Sequence, residues 1–107
     1  MKQIVYDIMQ KLKPVVEADP YINKVILFGS QARKQARIWS DVDIAIVCDD
    51  PKLVNRRAIR TVDDFEADIN FVYTTNENLL TTNIWDVNYY IREDGIELWQ
   101  RQEHTNI

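Results

Sequence analysis

Apolar residues recur along this chain in short groups, and their spacing alternates between helical and strand-like. One helical stripe covers residues 3–12 and consists of Ile4, Val5, Ile8 and Leu12. This spacing predicts an amphipathic helix with one buried side. Pro14 is expected to end or kink the helix, because proline lacks the N–H group that helical hydrogen bonding needs.

Three segments have the composition of strands. They are Lys24–Phe28, Asp41–Cys48 (DVDIAIVC) and Ala67–Tyr73 (ADINFVY). Branched and aromatic residues dominate all three, as is typical of strands packed within a sheet. In the third segment the period of two separates Ile69, Phe71 and Tyr73 on one face from Asp68, Asn70 and Val72 on the other. A last apolar piece, IELW, ends at Trp99.

Helices are predicted between these strands in three places: Gln31 to about Ile38, from Asp50-Pro51 onward, and Ile84 to about Arg92. Asp50 suits an N-cap and Pro51 the first helical position. The expected inward residues of the last two helices are Leu53, Val54, Ile59, Val62, Ile84, Val87 and Ile91. Gly95 is expected in the C′ position after the last helix.

The alternation of strands and helices predicts an α/β fold, with a small mixed β-sheet of three or four strands flanked by helices. At 107 residues, 46% of them hydrophobic, the chain fits a single domain spanning residues 1–107. The polar tail from about residue 101 is expected to be disordered. We expect the protein in the cytoplasm, because no apolar run is long enough for a membrane helix or a signal peptide.

Charge and cysteine content narrow the possible functions further. The net charge of -4 argues against direct nucleic-acid binding, which normally requires a basic excess. Cys48 is the only cysteine, so an internal disulfide and a cysteine-based metal site are both excluded. Its apolar neighbours favour a buried small side chain, and a reactive thiol is the alternative.

Gly29 and Ser30 end the first predicted strand, at the point where a short helix is expected to begin. Backbone N–H groups, a hydroxyl and the positive end of the helix dipole would together favour an anion there. The pair is therefore a candidate phosphate-binding turn. The alternative is that it only terminates the strand.

Asp41 and Asp43 lie two residues apart on a strand, so their carboxylates project from the same face, with Cα atoms about 6 to 7 Å apart. Two like charges so placed favour a cation between them, and Mg²⁺ accepts one or two carboxylates together with substrate phosphates. Asp68 is a third candidate if its strand is adjacent, since three carboxylates suit a two-metal site. Asp64 and Glu66 compete less well, because a loop or helix end is expected there. The alternative is that these acids are simply solvated.

The segment LFGSQARKQARIWSDVDIAIV contains Gly-Ser, ten residues and then Asp-x-Asp, and it holds both serines of the chain, Ser30 and Ser40. It resembles the signature of the minimal nucleotidyltransferase domain in the DNA polymerase beta-like superfamily. Asp68 in ADINFV resembles the third acidic position of that family. One departure is Lys34, because family members commonly have glycine there, and this puts turnover in question.

The resemblance implies a role for each of these residues. Gly29 and Ser30 would hold the β- and γ-phosphates of a nucleoside triphosphate, while Arg33, with Lys34 and Arg37, would neutralise their charge. Exposed solubilising cations are the alternative for all three. The catalytic acids and metal ligands would be Asp41, Asp43 and Asp68, with two Mg²⁺ ions or Mn²⁺ in their place. Asp68 would also act as general base or place the acceptor.

Small stand-alone domains of this type resemble the antitoxins that pair with helical HEPN ribonuclease toxins. The resemblance therefore implies transfer of AMP from ATP to a tyrosine of such a partner in a hetero-oligomer. Neutralisation by occlusion and transfer to a small molecule are the alternatives. The aromatic side chains expected to form a docking surface, unless they belong to the core, are Trp85, Tyr89, Tyr90 and Trp99.

Overall fold

The structure, a computed structural model, describes residues 2–35, 41–63, 65 and 67–102. Within that part of the chain the elements are α1 (Gln3–Ala18), β1 (Ile22–Phe28), α2 (Gly29–Ala32), β2 (Val42–Cys48), α3 (Arg56–Arg60), β3 (Ile69–Thr74), a 3-10 helix (Asn78–Leu80), α4 (Val87–Asp94) and β4 (Ile96–Gln100). The three predicted strands are all present. The apolar piece near the end of the chain forms the fourth.

The four strands form one sheet in the order β3-β2-β1-β4. β1 pairs antiparallel with β2 and with β4, whereas β2 and β3 run parallel. The parallel pair needs a crossover connection, and α3 lies within it. The predicted fold class, a small mixed sheet flanked by helices, is therefore confirmed.

The sheet has two unlike faces, which we call the α1 face and the α4 face after the helices that pack on them. The buried residues of β2 on the α1 face are Val42, Ile44, Ile46 and Cys48, which cluster with α1 and α3. Those on the α4 face are Ala45 and Val47, which cluster with Leu79 of the 3-10 helix and Ile91 of α4. The alternation follows from the period of two along a strand.

Helix α1 continues past Pro14 to Ala18, so of the two predicted effects of proline, an end or a kink, the end is wrong. Pro14 removes only the hydrogen bond to the carbonyl of Gln10, an exposed residue whose oxygen water can reach. Val16, one turn after Leu12, is fully buried and extends the apolar stripe. Burial of that extra turn outweighs the lost bond. No helix in the described part of the chain is long and apolar enough to cross a membrane.

Helix α3 begins at Arg56, several residues after the predicted start. Its N-cap is Asn55, whose side-chain oxygen accepts a hydrogen bond from the N–H of Ala58 at 3.2 Å. Asp50 instead forms a turn, in which its carboxylate accepts from the N–H of Lys52. The predicted inward residue Leu53 is therefore 52% exposed. The other three inward residues, Val54, Ile59 and Val62, are buried as predicted.

Helix α4 is capped by Asp86 and begins at Val87, so Ile84 lies outside it. Ile84 and Val87 are exposed rather than inward, and Ile91 is buried as predicted. Gly95 follows the helix with a φ of -68°, which is not the left-handed conformation expected at C′. Glycine is needed there for space, because a Cβ atom would lie 2.1 Å from the carbonyl oxygen of Ile91.

Arg101, at the start of the expected tail, is anchored to the domain. Its guanidinium donates hydrogen bonds to the carbonyl oxygens of Val16, Asp19 and Ile22, at 2.8, 2.7 and 2.9 Å. Cationic groups commonly bind the last carbonyls of a helix in this way. Arg101 therefore ties β4 to the end of α1. The rest of the predicted tail, from residue 103, lies outside the described residues.

Candidate active site

Three strand ends meet at one edge of the sheet. Phe28, the last residue of β1, pairs with Asp43 near the start of β2. Asp43 pairs in turn with Asn70 near the start of β3. The turn after β1, the acidic start of β2 and the start of β3 are therefore neighbours in space, although the sequence separates them widely.

Gly29 lies directly against Asp43. A Cβ atom added to Gly29 would lie only 2.2 Å from Oδ2 of Asp43, so no larger residue fits without moving that carboxylate. Gly29 also has a φ of +72°, a left-handed conformation that glycine adopts without strain. Glycine is thus required here on two counts. The candidate phosphate-binding turn and the acid pair form one continuous surface.

Helix α2 begins at Gly29, immediately after β1, and is only four residues long. Its N-cap residue, Phe28, offers no side-chain hydrogen bond to the first turn. The N–H groups of a first turn have no partner within their own helix and suit an anion. The structure therefore places Gly29 and Ser30 where the phosphate-binding prediction requires them, and their binding role stays a prediction.

A Schellman motif ends α2 at Ala32, so the helix does not extend as far as predicted. The N–H of Gln35 donates to the carbonyl of Ser30 at 3.0 Å, and that of Lys34 to the carbonyl of Gln31 at 3.4 Å. These two bonds define the motif and require a left-handed residue between them. Lys34 is that residue, with a φ of 60°. Residues 36–38 of the predicted helix lie outside the described part.

Lys34, the residue that departs from the pattern of the resembled family, has the left-handed conformation that glycine adopts most easily. Lysine stands here at the position where the resembled family commonly has glycine, and glycine is the usual residue at such a helix end. The Schellman bonds are made even so. The substitution costs strain of about 1 kcal/mol, because a Cβ atom is crowded in this conformation.

The amide of Asn70 joins the two acids of the predicted pair. Its Nδ2 donates to Oδ2 of Asp41 at 3.2 Å and to Oδ1 of Asp43 at 3.1 Å. Ionised carboxylates can only accept hydrogen bonds, so the NH₂ group of the amide must face them. A shared donor requires both carboxylates to point the same way. The predicted common face of Asp41 and Asp43 is therefore present.

Asp68 does not join this pair. It is exposed and lies one residue before β3, where its backbone carbonyl accepts a hydrogen bond from the N–H of Val42 at 2.8 Å. Among the described residues, no three acidic, histidine or cysteine side chains are grouped closely enough to hold a metal ion. The expected convergence of three carboxylates is not seen, although the strands are adjacent and Val42 and Ile69, the residues after Asp41 and Asp68, are paired. The role of Asp68 as a ligand stays a prediction. The competing acids, Asp64 and Glu66, lie outside the described part.

The sequence interpretation missed Asn70 as a site residue. It did place Asn70 on the same face as Asp68, by the period of two along β3. What it lacked was the register between β2 and β3, which decides which residue of β3 lies beside Asp43. A polar residue in the middle of an otherwise apolar strand was the available signal.

Two of the three predicted cations lie in the described part of the site. Arg33 pairs with Asp94 at the end of α4, with 3.9 Å between Nη1 and Oδ2, and both side chains are partly exposed. Its Nε also donates to Oε1 of Gln35 at 3.3 Å. Lys34 is exposed. Both are therefore near the turn after β1, and their contact with phosphates stays a prediction. Arg37 lies outside the described residues.

The side chains at this edge fit a hard divalent cation. Two carboxylates on one face, with an amide beside them, supply only oxygen ligands, the type that Mg²⁺ and Mn²⁺ prefer. The close contact of Gly29 with Asp43 leaves the first turn of α2 beside the same carboxylates. A cation held by the acids would therefore be near an anion held by the turn.

Cys48 is not part of this site. It is buried on the α1 face, and its Sγ donates a hydrogen bond to the carbonyl oxygen of Thr74 at 3.3 Å. Burial, with a smaller effect from the charge of Asp49, raises the pKa of the thiol to about 11. The prediction of a buried small side chain is confirmed. A thiol in this state is inert at neutral pH.

An exposed apolar patch lies on the α4 side of the molecule. We define it by its five residues, Leu80, Ile84, Trp85, Val87 and Tyr90. Trp85 is 89% exposed, far more than a tryptophan in a core. Tyr89 contacts Tyr90 edge to face, with 5.3 Å between ring centroids. Of the four aromatic residues proposed for docking, Trp99 instead packs against the core of the α1 face.

The chain is similar to several known proteins. The model of the family described as polymerase beta nucleotidyltransferase matches residues 10–104. A protein from Sulfolobus solfataricus assigned as a nucleotidyltransferase aligns with a TM-score of 0.56 at 17% identity, over 94% of this chain and 90% of its own. No curated protein sequence matches.

Two further solved structures are toxin–antitoxin complexes. A chain from one such complex with AMP-PNP aligns with a TM-score of 0.61 at 20% identity, over 87% of this chain and 73% of its own. A chain from the complex of tri-AMPylated Shewanella oneidensis HEPN toxin with MNT antitoxin aligns with a TM-score of 0.56 at 17% identity, over 94% and 74%. At this level of identity the likeness establishes a shared fold.

Proposed function

Because the chain belongs to the polymerase beta nucleotidyltransferase family, we propose that it transfers AMP from ATP to a hydroxyl group of a partner protein. The acceptor in this proposal is a tyrosine of a HEPN-type toxin, and the modification neutralises that toxin. The observation that carries the proposal is the contact of Gly29 with Asp43, which joins an anion-binding turn to a carboxylate pair.

The residues of the site divide the work of such a transfer between them. In this proposal the first turn of α2, at Gly29 and Ser30, binds the β- and γ-phosphates, and Arg33 offsets their charge. Asp41 and Asp43 hold Mg²⁺. The bound ion supplies charge neutralisation at the phosphates and lowers the pKa of the attacking hydroxyl.

The acceptor oxygen bonds to the α-phosphorus as the bond to pyrophosphate breaks. Its proton must pass to a base, and Asp68 is our candidate because it is exposed at the same edge of the sheet. An exposed carboxylate can meet an incoming hydroxyl without rearrangement of the core. Asp68 would therefore act on the acceptor rather than on the nucleotide.

The proposed partner rests on the structural neighbours and on the apolar patch. Two neighbours come from toxin–antitoxin complexes, one of them with an AMPylated HEPN toxin. Several exposed apolar and aromatic side chains in one region are typical of sites where another protein binds. We assign docking of the toxin to the patch from Leu80 to Tyr90. Two residues of the patch, Val87 and Tyr90, belong to α4, which covers the same face of the sheet that carries Asp43.

A second candidate function is neutralisation by occlusion alone. The observation that favours it is that Asp68 does not complete a three-carboxylate group with Asp41 and Asp43. A protein that only covers its partner would need the apolar patch and not the acid pair. The two functions therefore differ in which residues they require.

The test is incubation of the chain with ATP labelled at the α-phosphorus, Mg²⁺ and the helical product of the neighbouring gene. The enzyme hypothesis predicts label on that partner with the wild type and none with Asp41→Asn/Asp43→Asn. The matched control is Asp7→Asn/Glu97→Gln, which makes the same change of charge on α1 and β4 and should label normally. Full neutralisation without any label would reject the enzyme and support occlusion.

A further inference from the structure

Asn70 is a neutral side chain that contacts both acids at this edge of the sheet. It lies beside Asp43 in the register of β2 and β3, and its Nδ2 is 3.1 to 3.2 Å from an oxygen of each acid. β3 is the outermost strand on this side of the sheet, and Asn70 itself is exposed. The amide is therefore free to rotate without disturbing a core.

We infer that Asn70 clamps Asp41 and Asp43 together in the metal-free protein. This inference rests on the proposed function of the acid pair. It makes Asn70 a positioning residue, whose donated hydrogen bonds stand in for the cation and are given up when the cation binds.

The amide stabilises the pair because the two carboxylates carry like charge. Two carboxylates within reach of one nitrogen atom repel each other unless positive charge lies between them, and the polar hydrogens of the amide supply part of it. A divalent cation draws on the same two carboxylates, so its binding competes with both hydrogen bonds. A third carboxylate at this position would instead add one negative charge and attract the cation.

Asn70 should also affect the order in which the divalent ion and ATP bind. With two carboxylates and a competing donor, the protein alone should hold a divalent ion weakly. The phosphates of ATP supply the missing negative charge and oxygen ligands, which Mg²⁺ sites commonly take from substrate. Asn70 thus couples metal binding to nucleotide binding, and the metal enters with the triphosphate.

Asp68 is another residue near Asp41 and Asp43 that could influence metal binding. It is an acid, but among the described residues it belongs to no three-residue group with Asp41 and Asp43. Asn70 makes the contacts that Asp68 lacks. Substitution of Asn70 should therefore change the affinity for a divalent ion, whereas substitution of Asp68 should not.

The test is titration of the full chain with Mn²⁺ alone, without nucleotide, followed by calorimetry and by electron paramagnetic resonance of the free ion. We expect Asn70→Asp to bind Mn²⁺ at least tenfold more tightly than wild type. Asn70→Ala should bind at least as tightly as wild type, because the competing donor is gone. Asp68→Asn should match wild type within twofold.

Two results would overturn the inference. One is Mn²⁺ binding by Asn70→Asp that stays within twofold of wild type in a folded protein, as judged by its melting curve. The other is a tenfold loss of affinity in Asn70→Ala or Asp68→Asn, which would make that residue a ligand. Asn70→Ala decides the matter if Asn70→Asp does not fold.

The same titration separates this inference from the proposed function. Repeating it with ATP present tests the acid pair, because Asp41→Asn/Asp43→Asn should then lose Mn²⁺ binding whatever Asn70 does. Loss at the acid pair with no effect at Asn70 rejects only the inference. A clear effect at Asn70 with no transfer of label to any partner rejects only the proposed transferase.

Discussion

The two faces of the sheet are built differently. On the α1 face a helix of 16 residues packs on the strands, and core residues such as Ile8, Leu12 and Ile44 are completely buried. On the α4 face the described cover consists of an eight-residue helix and a 3-10 helix. This shorter cover reaches only part of the face. Asp43 and Asn70 remain accessible at the sheet edge.

This difference shows how one small domain can combine a stable core with an accessible polar site. Burial of apolar surface provides most of the stability of a domain this size, and the α1 face supplies the larger share of it. The α4 face can then leave polar groups uncovered, where a ligand and a partner could reach them. Substitutions on the two faces should therefore separate stability from function.

The largest expected effect is on the α1 face. Leu12→Ala removes a fully buried side chain, and we expect the free energy of unfolding to fall by about 2 to 5 kcal/mol. Denaturant titration measures this. The activity of the molecules that remain folded should match wild type. Lost activity in fully folded Leu12→Ala would show that the two faces are coupled.

Gly29→Ala should lower both the stability of the domain and its affinity for ATP. A left-handed alanine costs about 1 to 2 kcal/mol of unfolding free energy, and its Cβ must also displace the carboxylate of Asp43. We expect ATP affinity to fall at least tenfold.

Gly95→Ala is the matched control for Gly29→Ala. Its Cβ would also collide, with the backbone carbonyl of Ile91 and with Ile26, but not with the carboxylate of Asp43. It should lose stability and keep ATP affinity. Equal losses of ATP affinity in both variants would remove Gly29 from the proposed site.

The buried thiol on the α1 face makes stability depend on alkaline pH. Burial raises the pKa of Cys48 from 9.0 to about 11, so the unfolded chain loses this proton at lower pH than the folded chain. Unfolding free energy should therefore fall as pH rises from 9 toward 11, by about 1.4 kcal/mol for each pH unit. Below pH 9 Cys48 should have no effect.

Thermal unfolding of wild type and Cys48→Ala across this pH range isolates the contribution of the thiol. Tyr73, whose pKa is raised mainly by burial and least by Cys48, is present in both proteins, so most of its contribution cancels. The wild type should lose stability more steeply than Cys48→Ala. Parallel curves would mean that the thiolate is not penalised by burial.

The smallest expected effect is at the site edge. Lys34→Gly relieves a left-handed lysine and should raise the free energy of unfolding by about 0.5 to 1 kcal/mol. Comparison with Lys34→Asn, which tolerates the same conformation without charge, separates strain from electrostatics. If both variants weaken ATP binding equally, the lysine charge acts on the phosphates. A Lys34→Gly variant that is less stable than wild type would contradict the claim that Lys34 is strained.

The local sequence pattern was sufficient to predict the strands and the common face of Asp41 and Asp43. The alternation in DVDIAIVC places Asp41 and Asp43 on one face, and the structure agrees because a strand has a fixed period of two. Gly29 was identified from its place after β1. Its contact with Asp43 could not be, since contacts between strands depend on register.

Helix ends were harder to predict than strands. Asp50-Pro51 and Asn55 both carry capping chemistry, and only tertiary packing selects Asn55. Pro14 is tolerated because the turn that follows it buries Val16, which no local rule foresees. The importance of Asn70 has the same origin, because pairing of β2 with β3 puts it beside Asp43.

The central claim is that Gly29, Asp41 and Asp43 form a metal-dependent site for a nucleoside triphosphate. Calorimetric titration with ATP, in Mg²⁺ and then in a chelator, tests it most directly for wild type and for Asp41→Asn/Asp43→Asn. We predict binding by wild type in Mg²⁺ that weakens at least tenfold in the chelator and in the double variant. Equal ATP affinity in all these samples would contradict the claim.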